Sequence, residues 1–140
     1  MNKERIEFLK RDYSQGFPAY CGCEAIELDR GIFESRIIVR PELKQQDGFV
    51  HAGVLATLAD HTAGYSAYTI VPESTQILTI EFKINYFKPA IGAKIVCRSK
   101  VISKGEKIIV AESELFDIVD EKERLVSKAT VTLAAISSKT

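Results

Sequence analysis

From Phe49 to Tyr68 the chain is apolar on nearly every side of a helical wheel, yet Asp60 and two histidines, His51 and His61, lie inside the run. A helix that is hydrophobic all round is buried rather than laid on a surface, and about twenty residues make a rod roughly 30 Å long. The pattern therefore predicts a long central helix. Its small residues, among them Ala52, Gly53, Ala56, Ala59, Ala63, Gly64 and Ala67, let other backbone approach it closely, while Val54, Leu55 and Leu58 supply packing volume. Upstream, Ile6, Leu9 and Tyr13 recur at helical spacing among charged residues over Lys3–Tyr13, and Gly16 and Pro18 end that pattern. Two short apolar runs, Glu24–Asp29 and Ile32–Arg40, flank Arg30-Gly31 and read as a hairpin. Polar Pro41–Gly48, with Gln45-Gln46-Asp47-Gly48 as a turn, then delivers the chain to the central helix.

Beyond Pro72 the period changes from helical to two. Leu78, Ile80, Phe82, Ile84 and Tyr86 fall on one face of a strand, with Thr79, Glu81, Lys83 and Asn85 on the other, so one side alone should cover the helix. Pro89 and Gly92 close that strand, and three further β-like runs follow at Lys94–Lys104, Lys107–Val119 and Arg124–Ser137. The turns between them are too short for crossover helices. The expected architecture is α+β: a mostly antiparallel sheet curled around one helix, in a single domain over residues 1–140.

Composition narrows the classes. With 19 basic and 19 acidic side chains the net charge is zero, so no broad field favours nucleic acid or an anionic membrane. The N-terminus lacks a signal-peptide profile and no run reaches the length of a membrane span, which points to a cytoplasmic protein. Cys21, Cys23 and Cys97 are an odd number without metal-site spacing, and read as free thiols. No metal or resident cofactor is expected.

Asp60 is the chemical anomaly. A carboxylate inside an apolar helix costs several kcal/mol unless it is paired, hydrogen-bonded or protonated, so it either bonds a neighbouring group or serves a site. The first turn of the same helix carries backbone N–H groups without intrahelical partners and the positive end of the dipole, which suits a carbonyl oxygen or an anion. His61 follows Asp60 directly and points about 100° away from it, so it stays outside the chemistry.

Val50-His51-Ala52-Gly53, Asp60 nine residues after the histidine, and a strand ending Asn85-Tyr86-Phe87-Lys88-Pro89 together resemble the hotdog-fold acyl-CoA thioesterases of the phenylacetic-acid-degradation type, over Gln45 to about Ala135. The resemblance implies a six-stranded antiparallel sheet wrapped around the long helix, with a short N-terminal helix. It also implies a homo-oligomer, a dimer or a tetrameric dimer of dimers, whose active site straddles the dimer interface. The substrate would be an acyl-CoA hydrolysed to a carboxylate and free CoA. Asp60 would be the catalytic carboxylate, as general base or nucleophile, and the N–H of Ala52 or Gly53 from the other subunit would polarise the thioester oxygen. Gln45 would help to hold the carbonyl or a water, and Thr79 would orient the acid. His51 either joins the chemistry or holds the loop by hydrogen bonding.

Two positions depart from that pattern. Ala52 stands where a glycine is usual, adding a Cβ where the thioester must approach, and Gln45 stands where close relatives carry asparagine, displacing its amide by about 1 Å. Lys83, Lys88, Arg98, Lys100, Lys104 and Lys107 are candidates for the carrier's phosphates, Lys88, Lys104 and Lys107 foremost, with Tyr65, Tyr68 and Phe87 as candidate acyl-pocket residues. Two other readings share the fold: a non-catalytic acyl-CoA-binding module, and a hydroxyacyl thioester dehydratase, whose His-Phe-Pro motif is missing here.

Overall fold

The computed structural model describes residues 1–137; residues 138–140, the end of the expected domain, lie outside the described residues. In chain order the elements are α1 (Lys3–Tyr13), α2 (Gly16–Tyr20), β1 (Glu24–Asp29), β2 (Ile32–Ile38), a 3-10 turn (Pro41–Leu43), α3 (Ala52–Tyr68), β3 (Thr75–Tyr86), β4 (Lys94–Lys104), β5 (Ile108–Val119) and β6 (Lys122–Ser137). The strands form one six-stranded sheet in the order β1-β2-β4-β5-β6-β3, every neighbouring pair antiparallel. Placing β3 beside β6 rather than β4 makes it an edge, and α3 lies across the inner face against β2 to β6.

Each element keeps the chemistry that predicts it. Alternate residues of β2 and β5, including Phe33, Ile37, Ile109, Ala111 and Leu115, turn inward and are buried. Against them α3 sets Leu55, Leu58, Ala59, Ala63 and Ala67, the alanines allowing close approach of helix to sheet. Gly64 faces open space and serves no such approach. Each buried leucine contributes about 1.5–3 kcal/mol through the apolar surface it removes from water. Several hydroxyl groups interrupt this core as hydrogen-bonded clusters, whereas the buried Ser127 Oγ has no partner among the described residues. Thr62 Oγ1 shares hydrogen bonds with Tyr13 Oη at 2.8 Å and Ser35 Oγ at 2.7 Å. Ser113 Oγ donates to Ala59 O at 2.7 Å. These bonds fix the helix in register on the sheet, because a slipped helix would leave buried polar atoms unpaired.

The first helix ends at Tyr13, before Gly16 and Pro18, as its pattern predicts; those two residues then sit in the short α2, where a first-turn proline lacks an N–H that would have no helical partner anyway. Two expectations change. The central helix begins at Ala52 rather than Phe49, since Val50 is drawn into a bridge with Lys44. Most consequentially, β3 carries a bulge between Thr79 and Glu81. One extra residue reverses the inside–outside alternation. Ile77 and Thr79 therefore face the helix before the bulge, and Phe82, Ile84 and Tyr86 after it. Leu78 and Ile80, expected on the covered face, are each 55% exposed.

The loop from β3 to β4 is tied down from below. Asp117 of β5, with its side chain fully buried, accepts from the backbone N–H groups of Ile91 (2.9 Å) and Gly92 (3.0 Å) and from Arg124 Nε (2.9 Å) and Nη2 (2.7 Å). Val50 N–H donates to Ala90 O at 3.1 Å, so the same loop braces the approach to α3.

Candidate active site

The start of α3 is built by the turn before it. Gln45 Oε1 accepts from Asp47 N–H (2.6 Å) and Phe49 N–H (3.1 Å), which closes the Gln45–Phe49 turn and leaves the side-chain amide NH2 without a partner among the described residues. His51 N–H donates to Leu43 O at 2.8 Å, anchoring the N-cap residue. Its ring Nδ1 accepts the Gly53 N–H at 2.8 Å, an N-cap bond that supplies one first-turn donor with a partner. A Cβ at Gly53 would sit 3.0 Å from the same Nδ1, a tight contact that would press on the His51 ring, so glycine lets the cap bond form undisturbed. The two candidate donors are thus unequal. Gly53 N–H is occupied by His51, whereas no acceptor among the described residues takes the Ala52 N–H.

This helix start opens on a cavity of about 490 Å³ whose walls include Gln45, Phe49, His51, Ala52, Tyr86 and Lys88. Tyr86, the last residue of β3, donates its hydroxyl to Ala52 O at 3.0 Å and joins the strand end to the helix. Among the sequence-derived candidates, Gln45, His51, Ala52, Phe87 and Lys88 are gathered here, with Gly53 next to them in the first helical turn.

Asp60 and Thr79 form a second centre. Thr79 Oγ1 donates to Asp60 Oδ1 at 2.7 Å, and Oδ2 has no partner among the described residues. The bulge makes this pair, since an unbroken alternation would turn Thr79 away from the helix. Asp60 is half-buried rather than enclosed, and it lies beside the free edge of the sheet. Eight residues separate it from Ala52 in α3, about 12 Å of helical rise. One chain's acid and its own helix start are therefore too far apart to act on a single carbonyl.

The remaining candidates fall elsewhere. Lys104 and Lys107 lie at the β4–β5 turn, the opposite end of the sheet from Lys88. Arg98 and Lys100 are engaged by acids, Arg98 with Glu34 and Glu123, Lys100 with Glu112. Tyr65 lies under α1, donating its hydroxyl to Asp12 Oδ2 at 2.6 Å, and burial together with Asp12 raises its pKa. Tyr68 lies against β3, its hydroxyl oxygen accepting the Ile77 N–H at 3.1 Å. His61 Nε2–H donates to Tyr13 O at 2.8 Å, and burial lowers its pKa, which suits a neutral ring that fastens α1 to α3. All three cysteines are buried, and burial pushes the Cys23 thiol up to about 12. Among the described residues no group of three or more His, Cys, Asp or Glu side chains is placed to hold a metal, and no helix is long and apolar enough to cross a membrane. Sequence reasoning used Tyr86 only as the marker of a strand end. Its alternation with Ile84 and Phe82 signalled the inward face, but nothing in the sequence signalled Ala52 as its partner.

Residues 47–124, more than half of the chain, match the family model described as the Thioesterase superfamily. A presumed esterase of Saccharolobus solfataricus is 31% identical over 94 residues, 67% of this chain and 66% of that protein. The 1,4-dihydroxy-2-naphthoyl-CoA hydrolase of Listeria monocytogenes is 24% identical over 119 residues, 85% of this chain and 94% of that one. Among solved structures, a thioesterase family protein from Silicibacter pomeroyi superposes with a TM-score of 0.89 at 32% identity, covering 94% of this chain and 98% of that one. The matched span runs from the turn before α3 through the helix start, Asp60, the bulged strand and into β6, and on those grounds the chain belongs to the thioesterase superfamily as a hotdog-fold thioester hydrolase.

Proposed function

We propose that the protein is an acyl-CoA thioesterase of the phenylacetic-acid-degradation type, acting as a dimer in which Asp60 of one subunit meets the α3 start of the other. The observation that carries this reading is Asp60 itself: half-buried at the free sheet edge, one oxygen held by Thr79, the other open. The 12 Å rise between Asp60 and Ala52 requires a second copy to complete the site, and the exposed Leu78 and Ile80 of the edge strand offer apolar surface for it. Pairing of two such dimers would give a tetramer.

In the reaction, the acyl carbonyl rests against the Ala52 N–H and the free amide of Gln45, which receive the negative charge that builds on oxygen; a preorganised donor of this kind contributes roughly 3–4 kcal/mol. Asp60 supplies the attack, either by taking a proton from a water whose oxygen bonds to the carbonyl carbon, or by bonding to that carbon directly. Collapse of the tetrahedral species breaks the C–S bond, and the thiolate leaves to take up a proton. On the direct route water then cleaves the mixed anhydride and restores Asp60. Lys88, which lines the same cavity, would meet a phosphate of the carrier.

Thiol release measured over short, medium, long and aromatic acyl-CoAs tests this. Asp60→Asn should keep fold and assembly and lose about two or more orders of magnitude in turnover. Wild-type turnover in that variant refutes the assignment, and binding of an acyl-CoA without turnover by the wild type replaces it with a binding module.

A further inference from the structure

We infer that Tyr86 is a positioning residue for thioester hydrolysis, its hydroxyl locking the Ala52–Gly53 peptide so that the adjoining Ala52 N–H stays aimed at the substrate carbonyl; this rests on the acyl-CoA thioesterase reading above. The Ala52–Gly53 peptide is held at both ends. Its oxygen accepts from Tyr86 Oη at 3.0 Å, and its N–H donates to His51 Nδ1 at 2.8 Å. With that plane fixed, a single Cα joins it to the N–H that acts, so the Ala52 donor has little rotation left to it. First helical turns otherwise fray, because their N–H groups lack intrahelical partners.

The placement of Tyr86 argues for this role over core packing. The residue is 44% exposed and forms a wall of the cavity at the helix start, so it adds little to the buried core. It is also the terminal residue of the strand that carries Thr79, so one element positions both halves of the chemistry. The bulge sets the direction of both side chains: Thr79 lies before it and Tyr86 after it, and both turn toward α3. Leu78 and Ile80, beside the bulge, remain outside.

Tyr86→Phe keeps the ring and removes the hydroxyl. With the best acyl-CoA substrate, kcat should fall about tenfold, because the Ala52 N–H is then held less firmly on the developing oxyanion, while KM stays within about twofold. His51→Ala releases the other end of the same peptide, so the double variant should be about as slow as the slower single variant rather than showing the product of two losses. An independent readout uses the Asp60→Asn background, in which the thioester survives on the protein. The carbonyl stretch of the bound acyl-CoA, followed by isotope-edited infrared difference spectroscopy, should move to higher wavenumber when Tyr86→Phe is added, reporting weaker polarisation. Wild-type kcat in Tyr86→Phe, a loss confined to KM, fully multiplicative losses or an unmoved carbonyl band each overturns the inference. If those results appear while wild-type turnover still depends on Asp60, the thioesterase reading stands and only the role of Tyr86 falls; wild type without Asp60-dependent turnover overturns both.

Discussion

Removing the Asp117 carboxylate should destabilise the whole fold while leaving the chemical groups of the site in place. The side chain is fully buried and takes four hydrogen bonds, two from the loop backbone at Ile91 and Gly92 and two from Arg124. In Asp117→Ala the two N–H groups lose their acceptor, at about 1–3 kcal/mol for each that stays dry. Breaking a buried ion pair by deleting one partner costs about 3–5 kcal/mol. These costs overlap, and Arg124 is 32% exposed and can turn toward water, so about 4 kcal/mol is expected for the whole change. For a chain of 140 residues that corresponds to a fall in Tm of about 12–16 °C. Asp117→Asn keeps an oxygen for the N–H groups but loses the charge, and should cost about half as much.

The pH dependence supplies a sign. Burial alone would raise the Asp117 pKa, but the Arg124 guanidinium and the Ile91 and Gly92 N–H groups outweigh it and hold the carboxyl below its ordinary 3.8. A depressed folded-state pKa contributes stability that is present above the unfolded value and lost as pH falls through the folded one. The gap in stability between wild type and Asp117→Asn should therefore be full near neutrality and narrow below about pH 4. Urea melts at fixed protein concentration, run from pH 7 downward, measure it. A cost under about 1 kcal/mol for Asp117→Ala, or a gap that widens in acid, refutes the reasoning.

Three further substitutions probe separate joints. Thr79→Val removes the donor to Asp60 Oδ1 and should lower kcat about tenfold with little change in Tm, read by steady-state thiol release beside a thermal melt. Gly92→Ala would put a Cβ 2.3 Å from Ile118 O and 2.9 Å from Ile118 N; because both are backbone atoms, a loss of about 3 kcal/mol or more is expected by analogy with overpacked cores, visible as a lowered Tm or soluble yield. Tyr13→Phe removes a buried hydroxyl from Thr62, which keeps its bond to Ser35, so chemical denaturation should show a modest cost of about 1 kcal/mol.

Periodicity made most of the fold legible. The apolar run around α3 determined a buried helix because no surface position could accommodate it, and the turn residues between the last three β runs excluded crossover connections. Single residues with strong local chemistry were legible for the same reason. Asp60 stood out as a carboxylate in an apolar helix, and His51-Ala52-Gly53 as a helix start with free N–H groups. Strand order was another matter: β3 lies at the edge, beside β6, because sheet pairing joins residues such as Ile84 and Ala129 that no local pattern connects.

The bulge in β3 marks the boundary most sharply. Read as unbroken alternation, the strand turned Leu78 and Ile80 inward and Thr79 outward, and one unpaired residue reverses all three. A bulge arises where pairing with a neighbour leaves one residue over, and its position depends on the partner strand as well as on its own sequence. The same holds for Tyr86 and Asp117, whose partners lie 34 residues away at Ala52 and 25–26 residues away at Gly92 and Ile91. The sequence by itself determined which elements form and which residues carry chemistry, because periodicity and local charge act within a few residues. Only the tertiary structure decided which hydroxyl reaches Asp60 and which N–H remains open at the helix start, because those outcomes depend on register between segments far apart in the chain.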